Sequence, residues 1–531
     1  MSIRKSLESS FSLTFALYAA FFISFVYSII LVRVVNVEVM GMIGMGGTFI
    51  EIVALVSTLG TISIIQTYTT YYLSRNEYGH LKYILKKCIS IILTIAGVAS
   101  ILTFIFSREI SSLLYNTNVM ALPLKVIAAY IIVNISLKIL GTILRASGQF
   151  NLYGTVQVLS TALNLLLTLL FIYILIRYVS TNDDAIVAGS FIASTIVTLI
   201  CITLILIKNR NAVKKVLGVE LIKPTLEKIY KFGASTMTLE LISMWGVYIN
   251  TLAVGFFLPP EEWGYYTIAL MIMGVVTVFK TVLNIMAYPA MVDAHSKGDI
   301  KEFNLTVHIM FKYWTLFFVP LIAAFILFLP YTLPVVWGTA YEKSIVIAQI
   351  LLAGFVIQYY SSIYLSALTA TEKPHRQFMP TIVNVVLNVV LGITLVYFIG
   401  ILGAAITILI TSTISFFLSR YIFIGEQSDL DVHARTKFAA GLLGMLALEL
   451  IILGTLFIPC WLALGLIPNI HLKFIVAMLL GAFLTFASIS YIFGRRKLSD
   501  EEITRIFDMF PQAIKPILQS FRSISTRVWR G

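Results

Sequence analysis

Seven charged side chains interrupt the long apolar runs of this sequence, and their types indicate anion binding and ion coupling. They are Glu51, Lys125, Lys138, Glu240, Lys280, Lys312 and Glu449. A lysine ammonium binds a phosphate as a point charge. A carboxylate inside a membrane is suited to carry a coupling ion, because it alternates between a charged and a neutral state. The predicted spans that carry these residues, and the depth of each residue in its span, determine which role each residue can have.

Composition places these residues in a membrane protein. Hydrophobic residues make up 59% of the 531 residues and charged residues 12%, against about 25% charged in ordinary globular domains. The apolar residues fall in blocks of roughly 20, which is the length that crosses a hydrocarbon core of about 30 Å. We therefore predict an all-α polytopic membrane protein with about 14 transmembrane helices. The predicted spans are 11–32, 41–66, 88–107, 123–144, 155–176, 185–207, 232–257, 264–287, 309–333, 345–367, 379–398, 401–424, 438–458 and 474–493.

Most of the seven charges lie too deep in their spans to face lipid. Lys125 and Lys312 lie within about a turn of a span end and can snorkel to the interface. The other five would together cost about 15 kcal/mol if they faced lipid, at roughly 3 kcal/mol each. We expect them to face an aqueous cavity or one another. Pairing of Glu240 with Lys280, and of Glu449 with a neighbouring helix, stays open as a purely structural alternative.

The depth of these residues favours an anion that enters from the cytoplasm. Lys138, Glu240 and Lys280 each lie about two turns from the cytoplasmic end of their predicted helix, whereas Glu51 lies nearer the outer half. A cavity lined in this way is cationic on its cytoplasmic side.

Loop charges predict the orientation. The outer loops carry one lysine or arginine each at most, namely Arg33, Arg108, Arg177, Lys343 and Lys473, whereas the segment 208–231 and the tail after Gly494 are rich in them. Positive loops stay cytoplasmic. We therefore expect a multi-pass plasma membrane protein with both termini in the cytoplasm. The net charge of +13 then faces anionic lipid of the inner leaflet, and no nucleic-acid partner is predicted.

The first half of the sequence resembles the second half when the two are aligned at a shift of roughly 223 residues. The first six predicted spans then match the next six in the same membrane orientation. The matched positions are Gly41 with Gly264, Asn164 with Asn388, Leu144-Arg145-Ala146 with Leu368-Thr369-Ala370, and Tyr115-Asn116-Thr117 with Trp337-Gly338-Thr339. The predicted domains are an N-terminal bundle (1–207), a basic cytoplasmic linker (208–231), a C-terminal bundle (232–424), two additional spans (425–493) and a basic amphipathic tail (494–531). The segment 512–530 of that tail is predicted to lie as a helix on the inner leaflet.

Signals for catalysis, metals or cofactors are weak. The Asp183-Asp184 pair lies in a short loop, the six histidines have no metal-binding spacing, and no GxxxxGK[ST] phosphate loop occurs. Cys88, Cys201 and Cys460 lie in or beside apolar spans and are expected to be buried. The glycines at 41, 44, 46 and 47 favour close helix packing over phosphate binding. No cofactor and no metal are predicted.

Several short motifs resemble those of the polysaccharide transporter family, the Wzx-type flippases of lipid-linked oligosaccharides, over about residues 10–425. The family belongs to the multidrug, oligosaccharidyl-lipid and polysaccharide exporter superfamily. The motifs are the run Glu262-Trp263-Gly264-Tyr265-Tyr266-Thr267-Ile268-Ala269, Tyr288-Pro289-Ala290, Ser296-Lys297-Gly298-Asp299, Trp337-Gly338 with Tyr341, Ile382-Val383-Asn384, Leu387-Asn388 and Ile401-Leu402-Gly403-Ala404-Ala405-Ile406-Thr407. One departure is Asn250-Thr251, which stands where the family often has an aspartate followed by an arginine.

The resemblance implies a flippase with two pseudo-symmetric six-helix bundles around a central cavity. Its substrate would be a polyisoprenyl phosphate or diphosphate that carries sugars, moved to the outer leaflet by alternating access. We expect Lys138, Lys280 and Lys125 to bind the substrate, and Glu51 and Glu240 to carry a coupling ion, H+ or Na+. A multidrug or cation antiporter is the first alternative, although the two deep lysines argue against it. A membrane-embedded polymerase or glycosyltransferase is the second, although the outer loops are short for it.

Overall fold

The computed structural model describes residues 3–58, 60–179, 182–223, 246–371, 374–426 and 471–481, with isolated positions between and after them. Every regular element in these ranges is a helix. The first nine α-helices are α1 (Ile3–Val34), α2 (Val37–Thr58), α3 (Thr61–Ser74), α4 (Tyr78–Ile105), α5 (Ser107–Tyr115), α6 (Ala121–Ala146), α7 (Phe150–Ile174), α8 (Asp183–Lys208) and α9 (Arg210–Leu217). The next eight are α10 (Gly246–Phe257), α11 (Pro260–Ser296), α12 (Ile300–Tyr313), α13 (Val319–Val336), α14 (Ser344–Ala370), α15 (Phe378–Ile399), α16 (Ile401–Glu426) and α17 (His471–Gly481).

Ten helices in the described ranges are long and apolar enough to cross a membrane. The prediction of an all-helical, multi-pass membrane protein is therefore confirmed. The last two predicted spans, the start of the seventh and the tail helix at 512–530 lie largely outside the described residues.

Several helices extend beyond the apolar blocks that predicted them. The predicted span 88–107 is the second part of α4, which begins ten residues earlier at Tyr78. The predicted span 309–333 lies within a longer helical stretch that runs from Ile300 to Val336. Hydropathy detects only the part of a helix that is apolar enough for lipid, whereas the hydrogen-bonded helix continues into polar residues.

The predicted span 41–66 is broken into two helices. Gly60 has φ = 70°, a left-handed conformation that costs little only for glycine. The chain therefore bends between α2 and α3, and α3 continues to Ser74. A second irregularity is the π-helical turn Trp314–Phe318, which ends two residues before Pro320. Proline has no backbone N–H and its ring crowds the preceding turn.

The chain forms two compact units, and the first comprises Met1–Thr267 with Val385–Ala404. In this unit α6 is the central helix and packs against α3, α4 and α8, while α1 packs against α7. Ile127, Ile131, Ile135 and Ile139 recur every fourth residue on α6 and are almost fully buried. Their spacing places them on one face of the helix, and that face forms the core of the unit.

The second unit comprises Ile268–Asn384 with Ala405–Gly531. Its core is aromatic, and the ring centroids of Trp314 and Tyr359 lie 3.9 Å apart. Thr315 shares a hydrogen bond of 2.8 Å with the hydroxyl of Tyr360. The halves defined by the sequence repeat are a different division, and the predicted domain boundaries stay a prediction.

Candidate functional site

A polar cavity of about 810 Å³ lies within the first unit. It is lined by α1, α2, α6, α7 and α8, with Ile62 of α3 and Tyr248 of α10. These helices bury apolar faces against one another, so the polar residues that remain on their inner faces are gathered around one space. The charged side chains of the cavity are Glu51, Lys138 and Arg145.

Glu51 and Lys138 form an ion pair across this cavity. The Lys138 Nζ donates to both Glu51 carboxylate oxygens, at 2.7 and 2.9 Å. The two side chains are 45% and 38% exposed, respectively. The pair is therefore reached by water from the cavity, which removes the cost that either charge would have in lipid. The structure thus brings together one predicted substrate ligand and one predicted coupling residue.

Arg145 adds a second cation to the same wall. It follows Lys138 by seven residues on α6, which is two turns, so both side chains leave the same face of the helix. Its Nη2 donates to the Thr142 hydroxyl at 3.3 Å, and its guanidinium lies 5.1 Å from the centre of the Tyr153 ring. Its Nε is buried and has no hydrogen-bond partner among the described residues.

The predicted span 123–144 ends one residue before Arg145, so hydropathy alone leaves this cation outside the membrane-spanning helix. The helix in fact continues to Ala146. The signal that identifies it is the seven-residue spacing from Lys138, with Thr142 between them on the same face.

The rest of the cavity wall is uncharged and combines hydrogen-bonding side chains with apolar ones such as Leu137 and Val156. On α6 the Asn134 amide donates to the Tyr130 hydroxyl at 3.0 Å, and on α7 the Gln157 amide donates to the Tyr153 hydroxyl at 2.9 Å. Asn164 Oδ1 accepts from Ser194 of α8 at 3.1 Å. With two cations and one anion, the cavity carries a net positive charge, and its uncharged lining offers amides, hydroxyls and phenols among apolar side chains.

Of the remaining predicted site residues, only Lys125 has a described side chain. Lys125 is exposed near the start of α6, roughly 20 Å along the helix from Lys138, and does not line the cavity. Lys280 lies in α11, but its side chain lies outside the described residues, as does the whole of Glu240. Their roles stay predictions. Glu449 also lies outside the described residues.

Lys312 differs from its expectation. It lies at the end of α12, which begins at Ile300, and it is only 9% exposed. Its side chain is therefore largely enclosed by protein, whereas the apolar block alone predicted a side chain that extends to the interface.

Gly41 and Gly44 at the start of α2 pack closely against the start of α11, as predicted, whereas an added Cβ on Gly47 would meet no atom within 4 Å. A Cβ on Gly41 would lie 2.5 Å from the Pro260 carbonyl oxygen and 2.6 Å from the Gly264 nitrogen, and a Cβ on Gly44 would collide with Thr267. Gly41 and Gly264 are also a matched pair of the sequence repeat.

A buried amide pair occupies the position where the resembled family often has an aspartate. Asn250 is 1% exposed, and its Nδ2 donates to Asn388 Oδ1 at 3.0 Å. Within the described residues, the Asn250 Oδ1 accepts no hydrogen bond. A Cβ on Gly392 would collide with this oxygen, so the glycine provides the space that the amide occupies. The pair is neutral, in contrast to the ion pair of the cavity.

Comparison with known proteins identifies the fold and the family. The chain resembles the lipid II flippase MurJ in an inward closed conformation, with a TM-score of 0.65, 15% identity and coverage of 91% of this chain and 98% of that one. It also resembles an inward-facing multidrug resistance MATE family transporter of the MOP superfamily, with a TM-score of 0.60, 15% identity and coverage of 77% and 96%.

A third similar structure is a MOP superfamily transporter from Pyrococcus furiosus, described as having a binding pocket of reversed polarity that suggests a different function. Its TM-score is 0.52 and its identity 16%, with coverage of 79% and 96%. At these identities the likeness establishes the fold. No curated protein sequence matches the chain.

The family model described as "Polysaccharide biosynthesis protein" matches residues 30–346. This is more than half of the chain, and it includes the cavity-lining helices from α2 to α8. The chain therefore belongs to the polysaccharide biosynthesis protein family, with the fold of MOP superfamily transporters.

Proposed function

We propose that the protein is a flippase that moves a polyisoprenyl phosphate- or diphosphate-linked oligosaccharide from the cytoplasmic to the outer leaflet. It works by alternating access and supplies the lipid-linked oligosaccharide for the assembly of cell-surface polysaccharide or glycoprotein. Both termini lie in the cytoplasm, and the cationic loops face anionic lipid of the inner leaflet.

The polarity of the cavity carries this proposal. Lys138 and Arg145 offer two cations on one wall of α6, while most of the remaining lining is amide, hydroxyl and phenol. A phosphate needs cationic donors, and a sugar chain needs neutral donors and acceptors. A lipid-linked oligosaccharide has both parts in one molecule. An organic cation would instead favour an excess of carboxylates, and Glu51 is already paired.

The ion pair supports a way to couple substrate and ion. A phosphate that enters the cavity competes with Glu51 for Lys138. After the substrate has left on the outer side, the Glu51 carboxylate takes up a proton or Na+ from that side. It releases the ion on the cytoplasmic side, where the pair with Lys138 re-forms, so substrate and ion cross the membrane in opposite directions. In this scheme Lys138 binds the substrate and Glu51 is the coupling residue.

The second half of the repeat is proposed to contribute in the same manner. Lys280 would bind the substrate from α11 and Glu240 would act as a second coupling carboxylate. Lys125 would contact the substrate outside the cavity, near the start of α6. Substitution of Lys280, Glu240 or Lys125 tests these assignments in the same way as substitution of the residues in the first unit.

The test is transport by purified protein in liposomes, with a fluorescent polyisoprenyl diphosphate as the probe. Lys138→Ala is expected to abolish flipping, and Arg145→Ala to reduce it, whereas Lys208→Ala at the exposed end of α8 serves as the matched control and leaves flipping intact. Normal flipping by the Lys138→Ala, Arg145→Ala double variant would overturn the proposal. Uptake of an organic cation in place of the lipid would favour the antiporter alternative.

A further inference from the structure

Two side chains of the cavity wall each hold a buried polar atom that has no hydrogen-bond partner among the described residues. They are Arg145, whose Nε is a donor, and Asn134, whose Oδ1 is an acceptor. Among the described side chains that line the cavity, no others hold such an atom. Buried polar atoms in folded proteins are nearly always hydrogen-bonded, so each exception needs an explanation. Because both residues line the cavity, a ligand bound there can supply both missing partners.

Asn134, Lys138 and Arg145 follow one another along one face of α6. Lys138 is four residues after Asn134 and Arg145 is seven residues after Lys138, and these spacings keep side chains on the same face of a helix. Along the helix axis Asn134 lies about 6 Å from Lys138 and about 16 Å from Arg145. Since α6 ends at Ala146, the two cations lie toward the end of the helix and the amide lies deeper in the predicted span.

The carboxamide of Asn134 is held in place by the preceding turn of α6. Its Nδ2 donates to the Tyr130 hydroxyl at 3.0 Å, and the centre of the Tyr130 ring lies 6.3 Å from that of Phe191 on α8. The atom left without a partner is an acceptor in this orientation of the amide and a donor in the reversed one. A hydroxyl group both donates and accepts, so it satisfies the amide in either orientation.

The other two amides of the cavity differ from Asn134. Asn164 Oδ1 already accepts from the Thr168 hydroxyl at 2.9 Å and from the Ser194 hydroxyl at 3.1 Å. Gln157 has no buried polar atom that lacks a partner within the described structure. Asn134 is therefore the amide of this cavity whose hydrogen bonding is incomplete without a ligand.

The cavity also offers aromatic rings that suit a sugar. Tyr27 of α1, Tyr130 of α6 and Tyr248 of α10 all line it. A tyrosine ring packs against the apolar face of a sugar ring, and its hydroxyl can bond a sugar hydroxyl. The uncharged part of the cavity thus combines a carboxamide that lacks one partner with rings of the kind that contact sugars.

We propose that Asn134 recognises the sugar next to the phosphate of the substrate, while Arg145 and Lys138 hold the phosphate itself. The Arg145 Nε suits a phosphate oxygen, which accepts, and the Asn134 amide, one turn beyond Lys138, suits a sugar hydroxyl.

The proposal rests on the proposed flippase function and deepens it, because it gives the substrate a direction in the cavity. With both termini in the cytoplasm, Arg145 lies at the cytoplasmic end of α6, near the headgroups of the inner leaflet. The phosphate stays at that level, where its polyisoprenyl chain enters the lipid, and the glycan enters the cavity ahead of it.

The experiment measures binding to the full-length protein in nanodiscs with two probes. One is polyisoprenyl diphosphate without sugar, and the other is the oligosaccharide-bearing polyisoprenyl diphosphate extracted from the cells that make the protein. Wild-type protein is expected to bind the second more tightly. Asn134→Leu, which keeps the approximate size of the side chain but removes its polar atoms, is expected to lose about tenfold in affinity for the oligosaccharide-bearing lipid. It should bind the sugar-free lipid as wild type does, whereas Arg145→Ala should weaken the binding of both lipids alike.

Asn151→Leu is the matched control, because Asn151 is an exposed asparagine of α7 in the same unit and does not line the cavity. Three results would overturn the role of Asn134: equal affinity of the wild type for both lipids, unchanged affinity of Asn134→Leu for the oligosaccharide-bearing lipid, or an equal loss for both lipids in Asn134→Leu and in Asn134→Ala. The second result would mean that water alone satisfies the amide. A Lys138→Ala, Arg145→Ala double variant that binds the sugar-free lipid normally would instead count against the phosphate site of the proposed function. The two failures are therefore distinguishable.

Discussion

Replacement of Glu51 by glutamine is expected to strengthen the binding of a diphosphate lipid. In the resting protein the Glu51 carboxylate holds the Lys138 ammonium at 2.7 and 2.9 Å, so an incoming phosphate must displace it. Both side chains are more than a third exposed, and an ion pair of that kind contributes about 1 kcal/mol or less. Removal of the competing charge should therefore tighten binding by up to about fivefold.

The assay is a titration of protein in nanodiscs with a fluorescent polyisoprenyl diphosphate, repeated at low and high salt. The gain should shrink at high salt, because screening weakens the pair that the substitution removes. Lys138→Ala alone should weaken binding. Glu51→Gln in the Lys138→Ala background should give no gain, since the cation for which the two anions compete is gone. Glu38→Gln, at the exposed start of the same helix, is the control for a general change of charge.

Two results would refute the reasoning. If Glu51→Gln weakens binding, the carboxylate orients Lys138 for the phosphate rather than competing with it. If Glu51→Gln tightens binding equally with and without Lys138, the effect comes from the overall potential of the cavity and not from the ion pair.

Three further predictions concern coupling, the linker and helix packing. Glu51→Gln is expected to flip its lipid at the same rate with and without an ion gradient in liposomes, whereas the wild type depends on the gradient. Lys82→Ala is expected to raise amide hydrogen exchange at the end of α9 and in the residues that follow it, because the Lys82 Nζ donates to the main-chain carbonyls of Leu217 and Val219 at 2.6 and 2.8 Å; Lys86→Ala is the control, and equal exchange in both variants would show that Lys82 does not hold this segment. Gly41→Ala should destabilise the protein by about 1–3 kcal/mol through overpacking against backbone atoms, seen as a lower thermal midpoint. Gly47→Ala has no atom within 4 Å of the added methyl and should leave the midpoint unchanged or higher.

The linker prediction follows from a set of contacts that sequence reasoning did not anticipate. Besides Lys82, His80 Nδ1 lies 3.1 Å from the Ile222 carbonyl oxygen, and Lys215 Nζ donates to the Tyr78 hydroxyl at 3.0 Å. The basic linker is thus held on the first turns of α4 over its described part. Lysine content alone predicted only that this segment stays on the cytoplasmic side.

Hydropathy and loop charge allowed prediction of the class of protein, and motif order allowed prediction of its family. Apolar length is a local property of the chain, so the membrane-spanning helices are visible in the sequence without knowledge of their neighbours. Hydropathy underestimated the length of α4 and did not predict the break at Gly60. Helix ends and left-handed turns depend on hydrogen bonding and backbone conformation rather than on hydropathy.

The cost of burying charge determined that Glu51 and Lys138 avoid lipid, but only the tertiary structure decided that they pair. They are 87 residues apart in the chain, and their meeting depends on how α2 and α6 pack. The same packing places Arg145, which lies one residue beyond the predicted end of its span, in the wall of the cavity. The sequence determines which residues cannot face lipid, because the free-energy cost of placing a charge in lipid is a property of each residue. The partner of each charge depends on distances between helices, and these are set only when the helices pack.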